Sequence, residues 1–329
     1  MTDTMRIVIT AVIACGLSAV LGRLLLPVLH ALKAGASIRE LGPTWHNNKT
    51  GTPIMGGLMF IFAAILCLLG NLFFMEDHSV FLVLAPALCY GFIGFLDDYT
   101  KIRFKRNLGL TSIQKALLQM AVSAVFLYVM YKTGNMSNHL YIPFFNVSFQ
   151  IHPLIYIFFA MFVMVGCVNA VNLTDGLDGL SSSVTVPVMV FFTVASIAAG
   201  RFDLALLPAS MVGGLIAYLF YNWYPAKVFM GDTGSLFLGG AVCAMAFALD
   251  MPLILVPLGI VYIAETLSDI IQVGYFKATH GKRFFKMAPL HHHFEKCGWS
   301  EKKVFAVFSS VSLIFAIISM LGVMSRYGF

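Results

Sequence analysis

Ten stretches of apolar residues recur along this chain, each close to the length of a bilayer-crossing helix, and they leave room for little except a bundle of membrane helices. A crossing helix needs roughly 20 apolar residues, with a range of about 17–25. The segments are 5–26, 55–75, 80–96, 112–131, 154–171, 183–199, 204–222, 233–249, 252–275 and 304–325, several of them at the short end. Composition agrees with the runs. Of 329 residues, 59% are hydrophobic and 11% charged, against about 25% charged in a soluble domain. So few charges cannot coat a water-facing surface, so the expected fold is an all-α polytopic membrane protein. No soluble domain, low-complexity tract or internal repeat interrupts it, and residues 1–329 read as one membrane-embedded domain.

The formal charge is +6, which in a soluble protein would suggest nucleic acid as a partner. Here the basic residues obey a topological rule instead. Loops after odd-numbered segments hold Lys33, Arg39 and Lys49; Lys101, Arg103, Lys105, Arg106 and Lys115; Lys227; and Lys277, Lys282, Arg283, Lys286, Lys296, Lys302 and Lys303. Those are sixteen of the 21 basic residues, so that side is expected to face the cytosol and both termini the outside. Val12 to Cys15 imitates a lipoprotein cleavage box, but the apolar run continues through Leu26, which favours a retained first helix. The six cysteines show no CxxC spacing and read as small core residues. Residues 141–151 suggest a small surface hairpin.

The acidic residues carry the chemistry. Asp97 and Asp98 end the third segment, Asp175 and Asp178 follow the fifth in an Asn172-Leu-Thr-Asp-Gly-Leu-Asp-Gly run, and Asp232 opens the eighth in Gly231-Asp-Thr-Gly-Ser235. Five carboxylates from three helix ends therefore share one membrane depth. Clustered carboxylates raise one another's pKa unless a cation neutralises them. A hard divalent ion such as magnesium, held by one or two carboxylates together with substrate phosphates, answers that need. Neighbouring Asp97 and Asp98 must point in different directions, and spacing does not say which faces the reaction. Asp232 at a helix start has backbone N–H groups and the helix dipole beside it, a setting that suits anions.

His291, His292 and His293 are consecutive, and on a helix would splay by about 100° each, so converging on zinc is disfavoured. Binding phosphate or sugar hydroxyls, or moving a proton, fits them better. Glu265, Asp269 and Gln272 share one face of the ninth segment as either a site wall or an ion path.

With these residues laid out, the chain resembles the polyprenyl-phosphate N-acetylhexosamine-1-phosphate transferase superfamily. The Asp-Asp pair, the Asn-Leu-Thr-Asp run and the Gly-Asp-Thr-Gly-Ser run look like its markers. The Ala288-Pro-Leu-His-His-His-Phe-Glu295 block is similar to the phospho-MurNAc-pentapeptide translocase branch. That resemblance implies transfer of phospho-MurNAc-pentapeptide from UDP-MurNAc-pentapeptide to undecaprenyl phosphate, giving lipid I and UMP, with Mg2+ as cofactor. It further implies Asp232 as magnesium ligand, Asp97 or Asp98 acting on the lipid phosphate, and His291 at the reaction centre. Around them it implies a pocket of Lys49, Lys101, Lys115, Asn172, Asp175, Asp178, Phe229 (stacked on uracil), Gly231, Ser235, Gln272, His292 and His293. A homodimer in the bacterial cytoplasmic membrane, its site facing the cytosol, is a family-level expectation. Ile54 departs from the family, which often has Thr there. A sister transferase using UDP-GlcNAc is the nearest rival. An ion or solute transporter would need its charges at mid-membrane, and a non-catalytic scaffold leaves the gathered carboxylates unexplained.

Overall fold

A computed structural model describes residues 2–32, 49, 51–106 and 108–328. Twelve helices and one hairpin make up those residues: α1 (Asp3–Ala31), α2 (Leu58–Asn71), α3 (Val80–Phe104), α4 (Ser112–Lys132), β1 (His139–Ile142), β2 (Val147–Gln150), α5 (Pro153–Thr174), α6 (Leu180–Ala198), α7 (Leu206–Asn222), α8 (Gly231–Ala248), α9 (Leu255–Leu258), α10 (Ile260–Ala278), α11 (Leu290–Lys296) and α12 (Glu301–Tyr327). Every expected apolar segment falls on a helix, the ninth on two, α9 and α10. Seven helices (α1, α3, α4, α5, α6, α8 and α12) are long and apolar enough to cross a membrane. The ninth segment is not one straight rod, because α9 and α10 meet at an angle of 81°. Pro257 lies in α9 and Gly259 at the break, the two residue types that most often interrupt a helix. The second and seventh segments form shorter apolar helices, Leu58–Phe74 with its closing 3-10 turn and Leu206–Asn222.

α8 is the axle of the bundle, with every residue from Thr233 to Ala248 buried. Its sequence explains how neighbours come so close. Lipid tails are as apolar as leucine, so membrane helices associate largely by packing, which small residues improve. Gly94 of α3 lies so near α8 that a Cβ there would fall 2.0 Å from the Asp232 carbonyl oxygen. At the entry to α2, a Cβ on Gly57 would fall 2.3 Å from the Cα of Gly234. A methyl group at either glycine would push α3 or α2 off the end of α8 that carries Asp232.

α3 and α8 run antiparallel, since the Asp97 end of α3 meets the Asp232 end of α8 while Arg201 bridges Ala248 and Ser79 at the other end. The expected hairpin is present, with His139 opposite Gln150 and Ile142 opposite Val147. It is tied to α12 by the Phe144 N–H donating to the Gly322 carbonyl at 2.8 Å, and Arg326 lies 4.4 Å over the Tyr141 ring.

Candidate active site

The site is built from the first turn of α8. Met230 at its N-cap has no oxygen to offer, so the helix begins without a side-chain cap of its own. Asp98 from α3 supplies one. Its carboxylate accepts from the Thr233 N–H at 2.9 Å, the Thr233 hydroxyl at 2.7 Å and the Asp232 N–H at 3.2 Å. A carboxylate on helix N-terminal donors is favoured by charge-assisted bonds and by the helix dipole. Gly231 makes the approach possible. It holds φ +73, and a Cβ would lie 2.5 Å from Asp98 Oδ2. Asp98 is 1% exposed and both its oxygens are engaged.

Asp97, one residue earlier, is equally buried but turned elsewhere. Its Oδ1 accepts from the Leu110 N–H at 2.8 Å. Its Oδ2 is ion-paired with Lys101 Nζ at 2.6 Å, and its carboxyl also lies against that of Asp232. Asp232 faces the same space. Lys115 Nζ lies 2.6 Å and Lys101 Nζ 3.2 Å from its Oδ2, while Asn172 donates to its Oδ1 at 2.9 Å. Asn172 also reaches Ser235 Oγ at 2.7 Å. Oxygens of Asp97, Asp98 and Asp232 all lie within 4.8 Å of one another. Three carboxylates thus meet two ammonium groups, leaving one formal negative charge in excess. All-oxygen donors of this kind suit a hard divalent cation, which would take over oxygens now paired with Lys101 and Lys115.

Asp175 and Asp178 part company, though three residues apart. Partial burial first, then the charges of Asp232, Asp98 and Asp178, push the Asp175 carboxyl well above the usual carboxylate range. Asp178 instead holds Lys49 at 2.7 Å and accepts from the Ala226 N–H at 2.9 Å. Lys49 also pairs with Glu301 at 2.7 Å. Burial alone would lower the Lys49 pKa, but the bonds and charges of Asp178 and Glu301 outweigh it and raise the value. Lys49 therefore sits beside α12 rather than on the Asp97–Asp232 cluster. Lys33 and Arg39 lie outside the described residues.

Phe229 is half-buried, its backbone pinned by the Pro53 carbonyl and by the Gly56 N–H, both at 2.8 Å. Gln272 accepts from the N–H groups of Phe284 and Phe285 and so fastens the segment before α11. The three histidines do splay. His291 is 1% exposed, with Nδ1 3.0 Å from Glu265. His292 pairs with Glu295 at 2.8 Å, and His293 takes the Lys286 N–H at 3.2 Å with Cys297 Sγ 3.7 Å away. They form no common metal site among the described residues.

Sequence spacing alone did not reveal the capping role of Asp98, the Glu301 partner of Lys49 or the Glu265 partner of His291. Thr233, inside the Gly-Asp-Thr-Gly-Ser run, was the one signal within reach, because its hydroxyl stands next to Asp232.

Comparison with known proteins adds to this geometry. Residues 80–250, just over half the chain, match glycosyl transferase family 4. The chain is similar to phospho-N-acetylmuramoyl-pentapeptide-transferases over nearly its whole length. It is 47% identical to that of Clostridium acetobutylicum, covering 96% of this chain and 99% of the relative. Identity is 48% to that of Clostridium perfringens strain 13, covering 95% and 98%. It is 45% to that of Clostridioides difficile, covering 95% and 97%.

Proposed function

The chain belongs to the phospho-N-acetylmuramoyl-pentapeptide-transferase family, and from that membership we propose how its residues divide the work. It transfers phospho-MurNAc-pentapeptide to a lipid carrier, making lipid I. The donor is UDP-MurNAc-pentapeptide, the acceptor undecaprenyl phosphate, and UMP leaves. One substrate is charged and water-borne while the other keeps its tail in the bilayer, so a reaction centre at the membrane boundary lets them meet. The ten segments cross the cytoplasmic membrane with both termini outside, the site opens to the cytosol, and residues 1–329 act as one domain, as a homodimer.

Phosphoryl transfer rests on positioning and on neutralising charge. The observation that carries this reading is the meeting of Asp97, Asp98 and Asp232 with Lys101 and Lys115 at the start of α8. Magnesium, held by Asp232, would supply electrostatic stabilisation to the transferring phosphoryl group. Adding two positive charges to the excess single negative one leaves a site that attracts an anionic phosphate. Asp98 holds the first turn of α8 in place. Asp97, once Lys101 turns from its Oδ2 to the donor's phosphates, orients the lipid phosphate and takes its proton. Lys101 and Lys115 hold the donor's phosphates once these displace the carboxylates they now pair with. Asn172 and Ser235 fix the Asp232 carboxylate. Asp175 and His291 line the donor side, Phe229 stacks on uracil, and Lys49, Asp178, Gln272, His292 and His293 border the pocket.

The test is UMP release by purified, detergent-solubilised protein given undecaprenyl phosphate, magnesium and either UDP-MurNAc-pentapeptide or UDP-GlcNAc. Release from the muramyl donor alone, stopped by chelator and restored by magnesium, is the expected result. Release from UDP-GlcNAc alone would transfer the chain to a sister reaction.

A further inference from the structure

Glu265 lies on α10 and is fully buried, with 0% exposure. A carboxylate at that depth is costly unless something holds it. Its Oε2 is 3.0 Å from Nδ1 of His291, and the His291 backbone N–H donates to the same oxygen at 3.4 Å. Two bonds from one residue to one carboxylate oxygen fix both the start of α11 and the direction of the imidazole ring. An ionised carboxylate only accepts, so the Nδ1 bond requires the proton to sit on Nδ1. Whatever His291 contacts must then be met by Nε2. That nitrogen is buried and has no partner among the described residues.

The direction of Nε2 is defined by the backbone opposite. A Cβ added at Gly176 would fall 2.1 Å from Nε2 and 2.4 Å from Cε1. The ring edge thus packs on the backbone between Asp175 and Leu177, where only a glycine leaves room for it, and Gly176 itself is exposed. The Asp175 carboxyl is the next residue along the same strip. Behind the ring, His292 packs at 4.2 Å between centroids. On α10, Asp269 lies one turn beyond Glu265 on the same face. The imidazole is clamped by Glu265 on one side and covered by the Gly176 backbone on the other.

We propose that Glu265 is a positioning residue for the transfer reaction, holding His291 with its proton on Nδ1 and Nε2 aimed past Gly176 at a polar group of the nucleotide-sugar donor. This rests on the transferase reading above. A buried polar group that orients a working side chain is worth far more than its own bond, because misplacement by about 1 Å can cost roughly 100-fold in rate.

The experiment is a double-mutant cycle in detergent-solubilised protein, with UMP release measured for wild type, Glu265→Gln, His291→Ala and the double variant. Glu265→Gln keeps the volume but replaces an acceptor-only carboxylate by an amide that can accept or donate, so the ring's proton is no longer held on Nδ1. It is expected to lower kcat/KM for the donor by roughly 100-fold while KM for undecaprenyl phosphate stays unchanged. Adding it to His291→Ala is expected to cost almost nothing further, because groups that act as one unit are not additive. Additive losses would overturn the proposal, as would a rise in KM for undecaprenyl phosphate as large as the loss in donor kcat/KM. Should Glu265→Gln fail to fold, ¹⁵N NMR of labelled histidine in the wild-type protein gives an independent reading. A protonated Nδ1 at His291 supports the proposal and an unprotonated one overturns it. If the wild type releases no UMP, the transferase reading itself has failed, and the NMR result then judges the Glu265–His291 arrangement alone.

Discussion

The two ends of the α3–α8 pair are made of similar charges and used in opposite ways. At the end away from Asp232, arginines do the pairing. Arg6 bonds the Asp203 carboxylate and the Phe74 carbonyl, and the other Asp203 oxygen accepts the N–H groups of Glu76 and Asp77 at 2.9 Å each. Arg201 bonds the Ala248 carbonyl and Ser79 Oγ, and Arg326 donates to the Asp250 carbonyl at 2.8 Å. Each guanidinium ties side chain to backbone, so the charges act as clasps between helix ends. At the Asp232 end the cations are lysines, and Lys101 and Lys115 both lean on carboxylates that have other possible partners. A guanidinium's rigid fork locks a geometry, while an ammonium is a point charge on a flexible stem that can change partners. One end is built to stay, the other to exchange ions with a substrate.

The comparison can be broken most sharply at Asp232. Asp232→Asn should stop UMP release, lowering kcat by roughly 1,000-fold or more on the scale of a lost electrostatic stabiliser, while the thermal unfolding midpoint in detergent stays within a few degrees. Near-normal turnover would remove it as the metal ligand. Next in size is the opposite outcome at the opposite end. Asp203→Ala removes the buried partner of Arg6, leaving it only the exposed Asp3 at 3.3 Å and the Phe74 carbonyl, and should cost up to about 3–5 kcal/mol of stability, measured by denaturation, with kcat per folded molecule unchanged. Asp98→Asn lies between the two, because Asp98 is a clasp inside the working end. Losing part of the α8 cap should cost about 0.5–2 kcal/mol and lower kcat as well, since Asp232 moves with its helix. A stability loss without a rate loss would separate the two functions.

The smallest effect concerns Asp77. Burial pushes its carboxyl up, but bonds from Ser79 and the charges of Arg201 and His78 pull it further down, to a net value below the ordinary one. Its stabilising contribution is therefore full above the unfolded value of about 3.9 and fades as pH falls through the lower folded value. Unfolding midpoints taken from pH 5 downward should fall less steeply in Asp77→Asn than in wild type.

How much of this was legible in the sequence depended on the range of the interaction. Apolar runs are local, so all ten segments coincided with helices, and the hairpin expected over 141–151 from its mix of aromatic and β-branched residues is found at 139–150. The gathering of Asp97, Asp98 and Asp232 followed from three helix ends at one depth. What spacing could not supply was direction. Nothing in the Asp97-Asp98 dipeptide says that Asp98 must replace the missing cap of Met230, because that need arises on another helix. The bend at Gly259 hid inside a continuous apolar run, where hydropathy is blind to a backbone break. Lys49 was placed with the phosphate residues by resemblance, and its partners Asp178 and Glu301 lie 129 and 252 residues along the chain, the second on α12.

Of the seven long apolar helices, α8 is the least apolar and the most enclosed by its neighbours. Small and polar residues at its start would make a poor passenger in bare lipid. Yet the helices that wrap it most closely, α3 and α5, both precede it in the chain. By the time α8 leaves the ribosome, its protein surroundings have already been synthesised. The helix that bears Asp232 can thus enter a prepared slot and never has to be stable as a solitary membrane segment.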